Sequence, residues 1–149
     1  MSGRGNQIRN SPLLLGLTED EVQLLLDMAE WRRYGEGDLV VREGTASDCL
    51  FILSAGSVDV VREAGRVRLA RLTEVGEFFG EMSLIDILPR SADILAGNGT
   101  EVAAFPKGEL ADLFARSPRV QMTLILNIAR HLSLRLREAD ARIVALSSP

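Results

Sequence analysis

The residues of this chain with the most chemical content lie in one stretch, Phe78-Phe79-Gly80-Glu81-Met82-Ser83-Leu84-Ile85-Asp86-Ile87-Leu88-Pro89-Arg90-Ser91-Ala92. Residues 81–86 are long enough for about one and a half helical turns. A helix that short leaves nearly all its N-terminal N–H groups without intrahelical partners. Gly80 lets the backbone approach closely, so that those donors can converge on an anion. Arg90 adds a permanent positive charge with a forked donor geometry suited to phosphate oxygens. Glu81 is out of place beside a phosphate unless the ligand offers it a donor of its own, and a sugar hydroxyl does so. The stretch therefore suits a ligand with one modest phosphate charge and a ribose. A triphosphate would call for a G-x-x-x-x-G-K-[ST] loop, which the chain lacks.

The elements that must hold this stretch follow from periodicity. Residues 1–11 read as a loose Gly-, Asn- and Arg-rich tail, and residues 12–149 as a single domain. Within it, 12–30 carry N-terminal helices: an apolar turn at Leu13-Leu14-Leu15, then a helix capped by Thr18 with Glu21 as its capping-box partner. Residues 31–106 break into short strands separated by turns, including Gly35-Glu36-Gly37-Asp38, Ala55-Gly56-Ser57, Ala64-Gly65 and a hairpin at Gly97-Asn98-Gly99. The ligand-type stretch, 78–92, interrupts these strands. Residues 107–146 return to helical period, first over Lys107–Phe114 and then, after Ser117-Pro118, in a long helix. The fold class is α+β, mainly β: a jelly-roll-like, double-stranded β-helix barrel flanked by N-terminal helices and a long C-terminal helix.

Along that last helix Met122, Ile125, Ala129, Leu132, Leu136, Ala139, Ile143 and Leu146 are spaced by alternating threes and fours. Such a seam serves either to pack one helix face on its own barrel or to pair with a second copy in a parallel dimer over residues 122–146. Phe78-Phe79, Trp31 and Tyr34 read as packing residues. Cys49, in the apolar run Cys49–Leu53, reads as a buried small hydrophobe.

Totals exclude several classes. With 149 residues, 46% hydrophobic and 26% charged, the composition is that of a folded domain. A net charge of −4 gives no overall pull toward nucleic acid or an acidic membrane. No segment has the apolar length of a membrane span, nor does the N-terminus resemble a signal peptide, so the expected compartment is the cytoplasm. A single cysteine cannot form an internal disulfide. His131 is the sole histidine, too isolated for a metal centre, and reads as a satisfied packing or surface residue of the long helix. No paired acids and no nucleophile–base set can be assembled, so no enzyme is expected. Nor is a cofactor.

Phe79-Gly80-Glu81-Met82-Ser83-Leu84 with Pro89-Arg90-Ser91-Ala92 resembles the phosphate-binding cassette of the cyclic nucleotide-binding domain family, to which the catabolite activator protein and the regulatory subunit of protein kinase A belong. The resemblance runs from about Leu13 to Leu146 and includes glycines at Gly37, Gly44 and Gly56. It implies that Glu81 bonds the ribose 2′-hydroxyl and Arg90 the cyclic phosphate. The backbone N–H groups of Met82, Ser83 and Ser91 would complete the cradle, and Arg135 would stack on the base. The implied ligand is cAMP, with cGMP left open by Ser91, which stands where the family varies. Ile87-Leu88 departs from the family's glycine-rich pattern, and Arg135-Leu136 from the polar pair that reaches the base in the catabolite activator. The implied function is that of a sensor in which ligand binding repositions the long helix for an effector protein of unknown identity. The alternative is an assembly module with an empty or degenerate pocket. No helix-turn-helix pattern follows the long helix, which argues against a transcription factor.

Overall fold

Alternate residues of an extended chain face opposite ways, and both faces of Cys49-Leu50-Phe51-Ile52-Leu53 are apolar. A strand of this kind needs cover on two sides. The computed structural model describes residues 5–45, 48–81 and 92–147 and supplies that cover in three layers. Two 3-10 turns, Asn6–Ile8 and Pro12–Leu14, precede helix α1, Glu19–Met28. Strands β1 (Glu30–Tyr34), β2 (Leu39–Val41), β3 (Cys49–Ala55), β4 (Val58–Arg62), β5 (Val67–Leu72), β6 (Phe78–Phe79), β7 (Asp93–Ala96) and β8 (Thr100–Pro106) follow, then α2 (Lys107–Arg116) and α3 (Pro118–Ser147).

The strands form two antiparallel sheets in the orders β1-β8-β3-β6 and β2-β7-β4-β5. Phe51 and Leu53 of β3 face the second sheet and join Val41, Val58, Leu72, Phe79, Ile94 and Val102 in the core between the sheets. Leu50 and Ile52, of opposite parity, join Leu25, Leu110, Leu124 and Ile128 in a second core beneath the helices. β6 is divided the same way. Phe79 stacks on Phe51 at 4.9 Å between ring centroids, an arrangement worth about 1 kcal/mol beyond its buried area. Phe78 turns toward the helices.

The mainly β class with flanking helices is as expected, but the strands do not close into a barrel. The two sheets share no ladder among the described residues, and β6, only Phe78–Phe79, is too short to carry one across. The Gly97-Asn98-Gly99 hairpin is also not formed. β7 pairs with β2 and β4, whereas β8 pairs with β1 and β3, so this turn carries the chain from one sheet to the other. Gly97 N–H donates to Ser57 O at 2.8 Å, and Thr100 Oγ1 donates toward Ser57 O and Gly97 O. These bonds tie the crossover to the β3–β4 turn instead of to a partner strand.

Residues 5–11, expected as part of a loose tail, are packed. Ile8 is fully buried in the helix-side core, and Ser11 Oγ donates to Gly76 O. The capping box of α1 is present as read: Glu21 N–H donates to Thr18 Oγ1 and Thr18 N–H to Glu21 Oε1. No helix among the described residues is long and apolar enough to cross a membrane.

Candidate functional site

The described residues on either side of 82–91 belong to different sheets, one at an edge and the other in an interior. β6 is the edge strand of the first sheet, and Asp93 opens β7 between β2 and β4 of the second. Both ends are anchored. Before β6, Glu77 Oε2 accepts from the N–H groups of Thr73 and Glu74 at 3.0 and 2.9 Å, while Leu53 exchanges backbone hydrogen bonds with Gly76 and Glu77. After the stretch, Ala92 is buried and Asp93 Oδ1 accepts from Glu43 N–H at 2.6 Å. Whatever the stretch holds is thereby referred to a rigid frame.

Gly80 follows β6 with φ 75°, a left-handed conformation that a residue with a Cβ resists. Glu81 comes next with 8% of its surface exposed. Placing a carboxylate at such depth is costly, and chains keep one there for structure or for a ligand. Met82, Ser83, Arg90 and Ser91 lie outside the described residues, as does the Ile87-Leu88 departure.

The remaining expected residue, Arg135, is half-buried on α3. That helix lies on the fold through Val120, Leu124, Asn127 and Ile128. Asn127 Nδ2 donates to Leu13 O at 2.7 Å and to Leu15 O at 2.8 Å. Arg119 Nη2 donates to Gly16 O at 2.7 Å. His131 continues the same face, its ring 4.4 Å from that of Phe78, and Arg135 follows one turn later. The α3 face bearing Arg135 thus meets the strand that delivers Gly80 and Glu81.

His131 was not legible as a special residue. It packs as expected but is not satisfied, because its buried Nε2 has no hydrogen-bond partner among the described residues. Burial, and next to it the charge of Arg135, hold its pKa below the ordinary value, against weaker opposition from Glu77 and Glu138. The signal was its spacing of four from Asn127 and three from Ile128, which places it on the buried face.

The seam of threes and fours is a different face. Met122, Ala129, Leu136, Ala139, Ile143 and Leu146 are exposed, and Ile125 and Leu132 half-buried. Packing on its own sheets is therefore not the purpose of most of that seam.

Residues 31–117 match the family model described as the cyclic nucleotide-binding domain. The chain is 36% identical over 142 residues to the cyclic AMP receptor protein of Thermus thermophilus, covering 94% of this chain and 64% of that protein. It is 36% identical over 94 residues to human cGMP-dependent protein kinase 2, covering 61% of this chain and 12% of the kinase. The chain thus spans less than two thirds of the length of these relatives. Among solved structures, a cyclic nucleotide-binding domain from Methylobacillus flagellatus KT superposes with a TM-score of 0.82 at 25% identity, covering 97% of this chain and 84% of that one. On this match, which takes in most of the strands, β6 and the buried Glu81, the chain belongs to the cyclic nucleotide-binding domain family.

Proposed function

We propose that this chain is a regulatory module that binds a cyclic nucleotide, cAMP in preference to cGMP, between the stretch beginning at Gly80 and the α3 face bearing Arg135. The observation that carries this reading is Glu81, a carboxylate buried directly after a left-handed glycine at the end of an edge strand. A ribose 2′-hydroxyl is the ligand donor that suits it, with Arg90 and the N–H groups of Met82, Ser83 and Ser91 assigned to the cyclic phosphate and Arg135 to the base. Preference for cAMP is supported by the longer match, 142 residues against 94, to the relative whose name specifies cyclic AMP. The module performs no catalysis; its output is the position of α3, and its setting is the cytoplasm.

The exposed seam supports a second element of this reading, a parallel homodimer through residues 122–146. Beside it, a groove of about 390 Å³ between α2 and α3, lined by Phe114, Ala115 and Ile125 among others, extends the apolar surface. An effector protein reads the paired helices.

Calorimetry with cAMP and cGMP tests the ligand. Micromolar cAMP binding is expected, with Arg90→Ala weakening it by about 2 kcal/mol, roughly 30-fold, as loss of a charged hydrogen-bonding partner does. No thermal shift with cAMP, cGMP or cyclic dinucleotides would instead favour the assembly-module reading, which the exposed seam alone sustains.

A further inference from the structure

Close to the point where α3 leaves the fold, a titratable ring is packed in a way that its charged form resists. His131 sits on Phe78, centroids 4.4 Å apart and rings inclined at 45°, and Phe78 is fully buried two residues before Gly80. Nε2 is buried and has no hydrogen-bond partner among the described residues. Beyond His131 only Leu132 and Arg135 are half-buried, and residues 136–147 are all exposed. The last contacts of α3 with the fold are thus concentrated around this ring.

We infer that His131 is a proton-sensitive latch: its neutral ring seats α3 on Phe78, and protonation weakens that seating and with it the hold on the strand that delivers Gly80 and Glu81. The consequence for ligand affinity rests on the cyclic nucleotide reading, whereas the latch itself does not.

A neutral imidazole can bury one ring nitrogen at the loss of a single hydrogen bond to water. An imidazolium in the same place must bury a charged N–H that finds no acceptor among the described residues, a larger loss. The face of Phe78 returns part of it as cation–π attraction, but the inclined ring leaves the charge without a hydrogen-bond partner. Among the described residues, Arg135, Glu138 and Glu77 act on the ring. Arg135, one turn along α3, opposes protonation; Glu138 on α3 and Glu77 before β6 favour it. Glu77 Oε2 is held by the N–H groups of Thr73 and Glu74, before β6. Burial and Arg135 prevail, so the seated ring binds a proton less readily than the free one. Seating is then complete above the ordinary histidine pKa of about 6.5 and weakens as pH falls through that value toward the lower pKa of the seated ring.

His131 is the only histidine, so its imidazole resonances titrate in the ligand-free full chain without overlap. The expected midpoint lies below about 6.5. Amide protection factors over residues 132–147 should fall between about pH 7.5 and about pH 5.5 in the native protein. His131→Phe keeps a ring against Phe78 and has no proton to gain, so its protection should stay level. A midpoint at or above about 6.5, or the same loss of protection in both proteins, overturns the latch. Should His131→Phe not fold, the titration of the native protein still decides. In calorimetry, cAMP affinity should fall by about threefold for each half unit separating the two pKa values, and only in the native protein. If neither protein binds cAMP at any pH, the ligand reading fails while the titration still judges the latch.

Discussion

Replacing Leu136 with alanine separates the two explanations of the α3 seam. Leu136 is 64% exposed, so in a single chain its side chain contributes little to stability. An exposed helical leucine-to-alanine change stays within about 0.5 kcal/mol, and alanine's higher helix propensity offsets part of that. In a parallel pair the same side chain faces its own copy. Burying a whole leucine is worth about 1.5–3 kcal/mol, so the exposed share is worth about 1–2 kcal/mol per helix, or about 2–4 kcal/mol for the pair. Alanine retains roughly a third, which leaves a loss of about 1.5–2.5 kcal/mol and a dimer Kd raised about 10- to 70-fold. Sedimentation equilibrium over a concentration series, with and without cAMP, measures the association. Urea unfolding at the lowest concentrations measures the single chain. Association left unchanged while the single chain loses more than about 1 kcal/mol would refute the reasoning, since that outcome requires Leu136 to pack within its own chain.

Other substitutions probe the frame and the site. Gly56→Ala should cost about 2–4 kcal/mol in thermal unfolding, because φ is 78° there and a Cβ would stand 2.6 Å from Thr100 Cα. Asn127→Ala strands two carbonyls of the N-terminal segment, Leu13 O and Leu15 O, and should lower unfolding free energy by about 2 kcal/mol. Glu21 is held below its ordinary pKa of 4.5, first by the Thr18 N–H and then by Arg119, so its contribution is present above that value and lost as pH falls through the lowered one. Glu21→Ala should therefore cost about 1 kcal/mol at neutral pH, and the difference from the native protein should shrink in acid unfolding curves. Glu81→Gln should weaken cAMP binding by at least about tenfold while unfolding free energy changes by less than about 1 kcal/mol; a large stability loss with unchanged affinity would make Glu81 a structural anchor.

Local chemistry was the legible part of this chain. Thr18 and Glu21 announce a helix start because a hydroxyl and a carboxylate three residues apart can satisfy each other's backbone donors, and the structure contains both bonds. The double parity of β3 demanded cover on two faces, and it has it. Long-range pairing was what local patterns misjudged. Gly97-Asn98-Gly99 has the residues of a hairpin turn, yet its backbone is claimed by Ser57 and Thr100, and nothing near Gly97 in sequence announces Ser57 as a partner. Residues 5–11 look polar on average, but the one apolar side chain among them, Ile8, is buried in the helix-side core, and Ser11 bonds to Gly76 O. The site divides in the same way. Gly80 and Glu81 stood out by type and spacing, and the structure adds what neither could announce, a left-handed backbone at Gly80 and a buried side chain at Glu81. His131 did not stand out, because its meaning depends on Phe78, more than fifty positions earlier in the chain.

That pairing also bears on how a pocket near Glu81 could act on a seam ending at Leu146. α3 is a continuous helix from Pro118 to Ser147, anchored near its start by Asn127 and Arg119 and last supported at His131, Leu132 and Arg135. From Arg135 to Leu146 the unsupported arm is about 16 Å long at 1.5 Å per residue. A rigid arm magnifies rotation at its support, so a small shift of Phe78 moves Leu136 little and Leu146 most. On the proposed reading, ligand that draws Gly80 and Glu81 inward pulls on Phe78 through the single intervening residue Phe79 and tilts the arm at His131. The dimer seam senses that tilt mainly at Ile143 and Leu146, both exposed in the single chain. Coupling of this kind is reciprocal: whatever pairing contributes to seating α3 must appear as tighter ligand binding by the dimer than by the single chain. Leu136→Ala, assayed for cAMP affinity below its dimer Kd and well above it, should therefore bind more weakly in the first case, and equal affinities would detach the seam from the pocket.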